Sequence, residues 1–356
     1  MSYSPIDKPT DFFNSVIYTG NGSSPRSITG VGFQPDFNWT KSRSASGSHV
    51  LANSVSGANK QLVTNNSSAE ATNGVYGYLS AFGSDGWTMT TGSSDFSRMN
   101  TNSATYVSWN WLAGTSFTND ASSTGIGTID STGSVSDTAG FSIVSYTGSG
   151  ATATVGHGLS SAPAMIIIKS REDPASQPQH WIVYHQSLGN TSYQWLSRDI
   201  ATGTSILGWN NTSPTSSVFS LGNGWTPNNY SGTNYIAYCF AEKKGFSKFG
   251  SYTGNGSTDG TFVYTGFKPA FVMGKATSGT ENWFMNDNKR LGYNDKNYRL
   301  YPNLSNSEAT DSNMEILSNG FKLNTANGNS NGVGKTYIYM AFAEEPLVGD
   351  NPATAR

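Results

Sequence analysis

The stretch YTGNGS stands at Tyr18–Ser23 and again at Tyr252–Ser257, and a near copy, YTGSG, runs from Tyr146 to Gly150. A Gly-x-Gly of this kind is either a loop that cradles phosphate or a turn that the fold needs more than once. A phosphate loop opens a helix and is usually followed by Lys and Ser or Thr. Here TGNG leads into SSPRSITG or STDGTFVYTG, which read as turn and strand. Asn-Gly between strands is a hairpin signal, because both residues tolerate positive φ.

Taken as a ruler, the three tyrosines expose an internal repeat. A proline follows each by 17 positions (Pro35, Pro163, Pro269) and a lysine by 23 (Lys41, Lys169, Lys275). The short apolar stretches between them, DFNWT, AMIII and AFVMG, fit one strand entered through proline. Phe12, Phe141 and Phe246 precede the tyrosines by six, five and six residues and mark an opening strand. Each copy closes on an aromatic strand, TYVSWNWLAG, NYIAYCFAE or TYIYMAFAE, 88, 89 and 85 residues after its YTG tyrosine. A turn followed by an aromatic ring recurs at Trp87, Trp225 and Phe321, with an insertion in the second copy.

Units of about 100 residues with short alternating strands have the size and texture of two-sheet sandwiches. The expectation is an all-β chain of three tandem antiparallel β-sandwich domains of jelly-roll or lectin-like type. Its segments are an N-terminal arm (1–10), repeat one (11–113), a linker or extra edge strand (114–139), repeat two (140–244), repeat three (245–345) and a C-terminal tail (346–356). Each repeat's first and last strands are expected to lie side by side.

Only 12% of residues are charged, against 40 glycines and 13% aromatics, which favours ordered strands and turns over disorder. The net charge of −2 includes no long run of either sign, so nucleic acid is not expected as a partner. The N-terminus MSYSPIDKPTDFF lacks the features of a signal peptide, and no segment approaches ~20 apolar residues. No membrane insertion is expected, and the protein reads as made and kept in a cytoplasm until assembly or lysis. The single cysteine, Cys239, reads as a small buried hydrophobe.

No catalytic constellation emerges. His49, His157, His180 and His185 lack ligand spacing, so no metal site is expected, and calcium held by scattered Asp and carbonyl oxygens is left open. Glu172 and Asp173 precede Pro174 in a polar loop, and Glu242 and Glu344/Glu345 end matching strands. None forms an evident glycosidase pair, and no cofactor is expected. What remains is aromatic rings beside amides. Trp209, Asn210, Asn211, Trp225 and Tyr230 are the candidate ligand-binding residues, because rings stack on sugar faces while amides bind hydroxyls. Trp87 and Trp225, sharing a repeat position with Phe321, read mainly as core.

FQPDFNWTKSRS after Gly32, AGFSIVSYTGSG from Ala139, TYIYMAFAEEP from Thr336 and the terminal PATAR resemble a family of repeat-containing virion structural proteins of tailed phages, particularly those of marine bacteria. The resemblance spans nearly the whole chain. It implies a non-enzymatic, lectin-like protein of the virion surface, in a tail fibre, tail-associated or decorating the capsid, made in the host cytoplasm. It transfers no catalytic residue. The partners it implies are other tail or capsid proteins and a host surface glycan, with a homo-oligomer, a trimer for a tail fibre. The other readings are a polysaccharide-degrading enzyme and a free carbohydrate-binding module on the same kind of sandwich. Under the virion reading, the polar segments 1–10 and 346–356 are attachment arms ordered against a partner.

Overall fold

Each YTG tyrosine lies near the end of an opening strand that pairs antiparallel with the closing strand of its own repeat. The opening strands are Phe13–Thr19, Phe141–Thr147 and Ser247–Thr253, and the closing strands are Thr105–Trp111, Asn234–Phe240 and Thr336–Pro346. The tyrosines stand opposite one another, Tyr18 on Tyr106, Tyr146 on Tyr235 and Tyr252 on Tyr337. The computed structural model describes residues 4–174, 177, 179–290, 297–311 and 313–346.

The middle strands, Phe37–Ser42, Met165–Ser170 and Phe267–Ala276, lie on the far side of the closing strands and continue into hairpin arms. They are buried on both faces, which explains their nearly continuous apolar runs. Pro35 and Pro163 precede their strands. Pro269 instead sits inside its strand at a register shift, where a bulge tolerates the missing N–H.

A small antiparallel sheet covers the outer face of each large one. Arg26–Thr29 with Gly86–Thr90 and Tyr78–Gly83 serves repeat one, Ala153–Gly156 with Val218–Leu221 repeat two, and Phe262–Tyr264 with Gly320–Leu323 and Met314–Leu317 repeat three. The chain is therefore all-β, built of antiparallel sandwiches. Residues Thr115–Asn119 and Ser131–Ser136 form a hairpin added to the edge of the repeat-two sheet.

The inner faces of the three large sheets do not form three separate cores. Phe13, Trp111, Phe141, Phe240, Phe271 and Phe342 belong to one apolar cluster that draws on all three repeats. Hydrogen bonds close this arrangement into a ring. Glu70 N–H donates to Arg171 O (2.9 Å), Thr202 N–H to Thr277 O (2.9 Å) and Glu308 N–H to Arg43 O (2.8 Å), so each repeat's arm grips the next and the third grips the first. Trp181 Nε1 on Val63 O and Trp283 Nε1 on Trp195 O repeat the pattern. Arg171 chelates Glu70 and Arg43 chelates Glu308, whereas at the remaining junction Thr277 and Thr202 occupy these places.

The N-terminal arm is part of this body. Ile6 is 2% exposed within the shared cluster, and a Cβ on Gly245 would stand 2.7 Å from Ser4 Cβ. This corrects the expectation of an arm ordered only against a partner, as far as residues 4–10 go. The tail beyond Pro346 lies outside the described residues.

The YTGxG motif now has a physical account. Tyr18, Tyr146 and Tyr252 donate to Met99 O, Asn228 O and Ser330 O. The first glycine is needed for close approach: a Cβ on Gly20 would fall 2.0 Å from Thr101 O, and those on Gly148 and Gly254 2.4 Å from Tyr230 O and Gly332 O. The second glycine has positive φ, 70°, 74° and 65° at Gly22, Gly150 and Gly256. An asparagine six residues before each closing tyrosine holds the corner. Asn100, Asn229 and Asn331 accept through Oδ1 from Asn21, Ser149 and Asn255 N–H at 2.9–3.0 Å. Replacing Asn331 with alanine leaves the Asn255 N–H and the Ser257 and Thr325 carbonyls without their partner. The expected loss is about 1–3 kcal/mol by chemical denaturation, and a loss under about 0.5 kcal/mol would contradict this role.

The three lysines of the ruler are fully buried. Lys41 donates to Ser42 O, Lys169 to Ser67 O of the neighbouring repeat, and Lys275 to Ala276 O. Burial pushes each down from 10.5 to about 8. Between those values the unfolded chain holds protons that the folded chain has shed, so stability rises with pH across that window. Burial also pushes Tyr18, Tyr146 and Tyr252 above 10.0, so above that pH the unfolded chain loses phenolic protons first and stability falls. The denaturation midpoint should climb from about pH 8 to about pH 10 and then turn down, and Lys169→Met should flatten the climb. A flat profile across that range would contradict the burial of three charges.

Candidate functional site

Among the candidate ligand residues, Trp209 is part of the core. It ends the helical turn Ile206–Trp209, which begins where Ser205 Oγ accepts from Leu207 N–H. Its ring is 1% exposed, meets Tyr184 edge-on at 5.5 Å, and donates through Nε1 to Ser192 O at 3.0 Å. It cannot stack on a ligand, and that expectation is corrected. Asn210 and Asn211 follow in the left-handed region, with φ of 50° and 49°, and Asn210 N–H closes the turn on Ile206 O. Asparagine at these positions serves the backbone.

Trp225 does not occupy the repeat position of Trp87 and Phe321. Those rings sit edge-on to Tyr18 and Tyr252, and in repeat two the ring edge-on to Tyr146 is Phe219. Phe219 lies opposite Val155 in the outer sheet, as Trp87 lies opposite Ile28 and Phe321 opposite Val263. The sequence GNGW mimics the motif, but core packing assigns the slot to Phe219.

Trp225 instead joins two rings that the sequence reading missed. It lies 5.0 Å from Tyr193 and 5.6 Å from Trp195, both edge-on, and Tyr193 and Trp195 meet at 5.1 Å. Tyr193 and Trp195 alternate on Ser192–Trp195 and therefore share one face. The Tyr-x-Trp spacing is the signal that could have found them. Gly203 opposite Tyr193 is needed because a Cβ there would stand 2.4 Å from Tyr193 Cζ. Tyr193 and Trp225 are half-buried, Trp195 is 9% exposed, and His180 lies edge-on to Trp195 while its Nδ1 meets Ser197 Oγ. Burial pushes His180 down, and neighbouring Arg198 and Lys169 add to this, which favours the uncharged ring. Tyr230 follows on the same loop, 38% exposed, with its N–H donated to Tyr235 OH. The cluster offers edges and partial faces of uncharged rings, suited to the C–H face of a polyhydroxyl ligand.

Three of the carboxylates weighed for hydrolysis have structural partners. Glu172 accepts from Asn234 Nδ2 at 2.7 Å, Glu242 pairs with Lys248 at 2.7 Å, and Glu344 pairs with Lys268 at 3.0 Å. Cys239 is buried, which pushes its thiol well up. Burial pushes His157 and His185 down to about 4, so both are neutral at pH 7. Among the described residues no three His, Cys, Asp or Glu side chains gather as a metal site, and no helix is long and apolar enough to cross a membrane.

No curated protein matches this chain. A family model described as a domain of unknown function (DUF7483) matches residues 8–346, which takes in all three repeats and every strand of the shared core. The chain belongs to that family.

Proposed function

We propose that this protein is a non-enzymatic structural component of a tailed-phage particle surface, on the tail or the capsid, and that repeat two meets a host surface glycan through Tyr193, Trp195 and Trp225. The observation that carries the glycan reading is this cluster, in which Tyr193 and Trp225 are partly open to solvent and rest on the buried Trp195 ring, on a body with few charges. The particle reading is supported by the FQPDFNWTKSRS, AGFSIVSYTGSG and TYIYMAFAEEP segments and by the closed ring of repeats, which suits a component that must keep its shape.

Purified virions labelled with antibody should carry the label on tail or capsid, and particles without label would overturn the particle reading. On a glycan array, Trp225→Ala should weaken the best ligand about tenfold, about 1.4 kcal/mol. Unchanged binding would remove the cluster from the site. The protein should release no reducing ends from host polysaccharide, and release abolished by Glu172→Gln or Asp173→Asn would make it an enzyme.

A further inference from the structure

The strand position that Tyr193 and Trp195 occupy recurs in all three repeats, and the side chains there differ. Tyr193 pairs with Gly203, Gln61 with Ala71 and Arg299 with Ala309, and two positions on from these stand Trp195, Val63 and Tyr301. In repeat two aromatic rings fill the space. In repeat three Arg299 fills it, bonded to Asn313 at 2.7 Å and Asp311 at 2.8 Å and lying over the Tyr301 ring. In repeat one Gln61, Val63 and Ala71 stand there, and a cavity of about 200 Å³ remains.

Two side chains on its wall, Arg98 and Gln61, make no side-chain hydrogen bond among the described residues, although the Asp95 carboxylate stands near enough to Arg98 to attract it. Arg98 lies 4.6 Å over the Tyr76 ring, half-buried, and makes no ion pair among the described residues. Gln61 is 3% exposed and its Oε1 has no hydrogen-bond partner. Glycine at position 74 is what seats this amide, since a Cβ there would fall 2.0 Å from Gln61 Nε2. Asn66 and Ser68 add hydroxyl-binding groups to the wall, and Val63, Ala69 and Val75 give it apolar surface.

The geometry points to a binding site in repeat one for a single carboxylated sugar, a uronic acid unit of an acidic polysaccharide. A guanidinium held over an aromatic ring can take a carboxylate through two parallel N–H groups. The Tyr76 ring and Val75, 38% and 48% exposed, give the ring C–H face of the sugar a surface to cover. The Asn66 and Ser68 side chains on the wall meet the sugar hydroxyls. A neutral sugar leaves the guanidinium unmatched, and a bare carboxylate leaves the Tyr76 and Val75 surface uncovered, so both should bind less well. This deepens the glycan reading, yet it concerns a different cleft from the repeat-two rings and is tested apart from them.

Calorimetric titration of the full chain with D-glucuronate, D-galacturonate, D-glucose and acetate tests it. At least one uronate should bind about tenfold or more tighter than both glucose and acetate. Arg98→Gln and Ala69→Phe, which fills the cavity, should each weaken that binding about tenfold with the thermal midpoint unchanged, whereas Trp225→Ala should leave it intact. Uronate binding that survives both repeat-one variants, glucose equal to the uronates, or acetate equal to them would each overturn the proposal. Loss of uronate binding in Trp225→Ala alone would move the acidic-sugar site to repeat two and overturn it equally.

Discussion

Replacing Phe342 with alanine should destabilise all three repeats at once, by about 3–5 kcal/mol. The Phe342 ring stacks on Phe13 of repeat one at 5.2 Å and meets Trp111 at 5.7 Å, Phe240 of repeat two at 5.9 Å and Phe271 of its own repeat at 6.5 Å. It is 1% exposed, so the lost contacts leave a cavity at the place where the three sheets converge. Denaturant titration followed by tryptophan fluorescence, and by limited proteolysis at sites in each repeat, should show one shifted midpoint for every probe. New cleavage confined to repeat three would mean that the repeats are stable separately.

The second large effect is expected at the junction of repeats three and one. Arg290 is fully buried, donates from Nε to Asp287 at 2.6 Å and from Nη1 to Glu308 at 2.9 Å, and Glu308 is chelated by Arg43. Asp287 also accepts from Trp109 Nε1 of repeat one at 2.9 Å. Arg290→Ala strands a buried carboxylate and should cost about 3–5 kcal/mol. The exposed pair Lys8–Asp11 is the control: Lys8→Ala should change stability by about 0–1 kcal/mol, an effect weakened by salt. Denaturation of both variants at low and high salt compares them. An Arg290→Ala loss below about 1 kcal/mol would show that water reaches the network.

The repeat was legible in the sequence because its determinants are local. Tyr, Gly-x-Gly and Pro keep fixed spacing since each serves a corner or strand inside one repeat, and Lys shares that spacing from its place on the middle strand although Lys169 donates to Ser67 O of repeat one. The asparagine six residues before the closing tyrosine (Asn100, Asn229, Asn331) obeys the same rule and could have been read. The shared core was not legible, because alternation shows that a face is buried without showing what buries it. Glu70 with Arg171 and Glu308 with Arg43 are far apart in sequence and absent at the third junction, so spacing gives no sign of them.

The candidate site followed the same division. Trp225 was identified from its loop, but a short turn-plus-ring string matched it to the wrong repeat position, which packing gives to Phe219. Trp209 stood out as a tryptophan beside amides, yet its neighbours Ser205 and Asn210 are the two ends of a helical turn, and the ring faces inward. The copies agree where they build the ring and differ in the cleft beside Gln61, Tyr193 and Arg299. Aromatic side chains, an arginine or an open cavity occupy that cleft in turn.

Hydrogen exchange of the unmodified protein, read by mass spectrometry under native conditions, tests the single-core claim most directly. The closing strands Thr105–Trp111, Asn234–Phe240 and Thr336–Pro346 should open with one common free energy, and mild denaturant should lower all three together. Three distinct opening energies, with one closing strand exchanging while the others stay protected, would contradict a core shared by the three repeats.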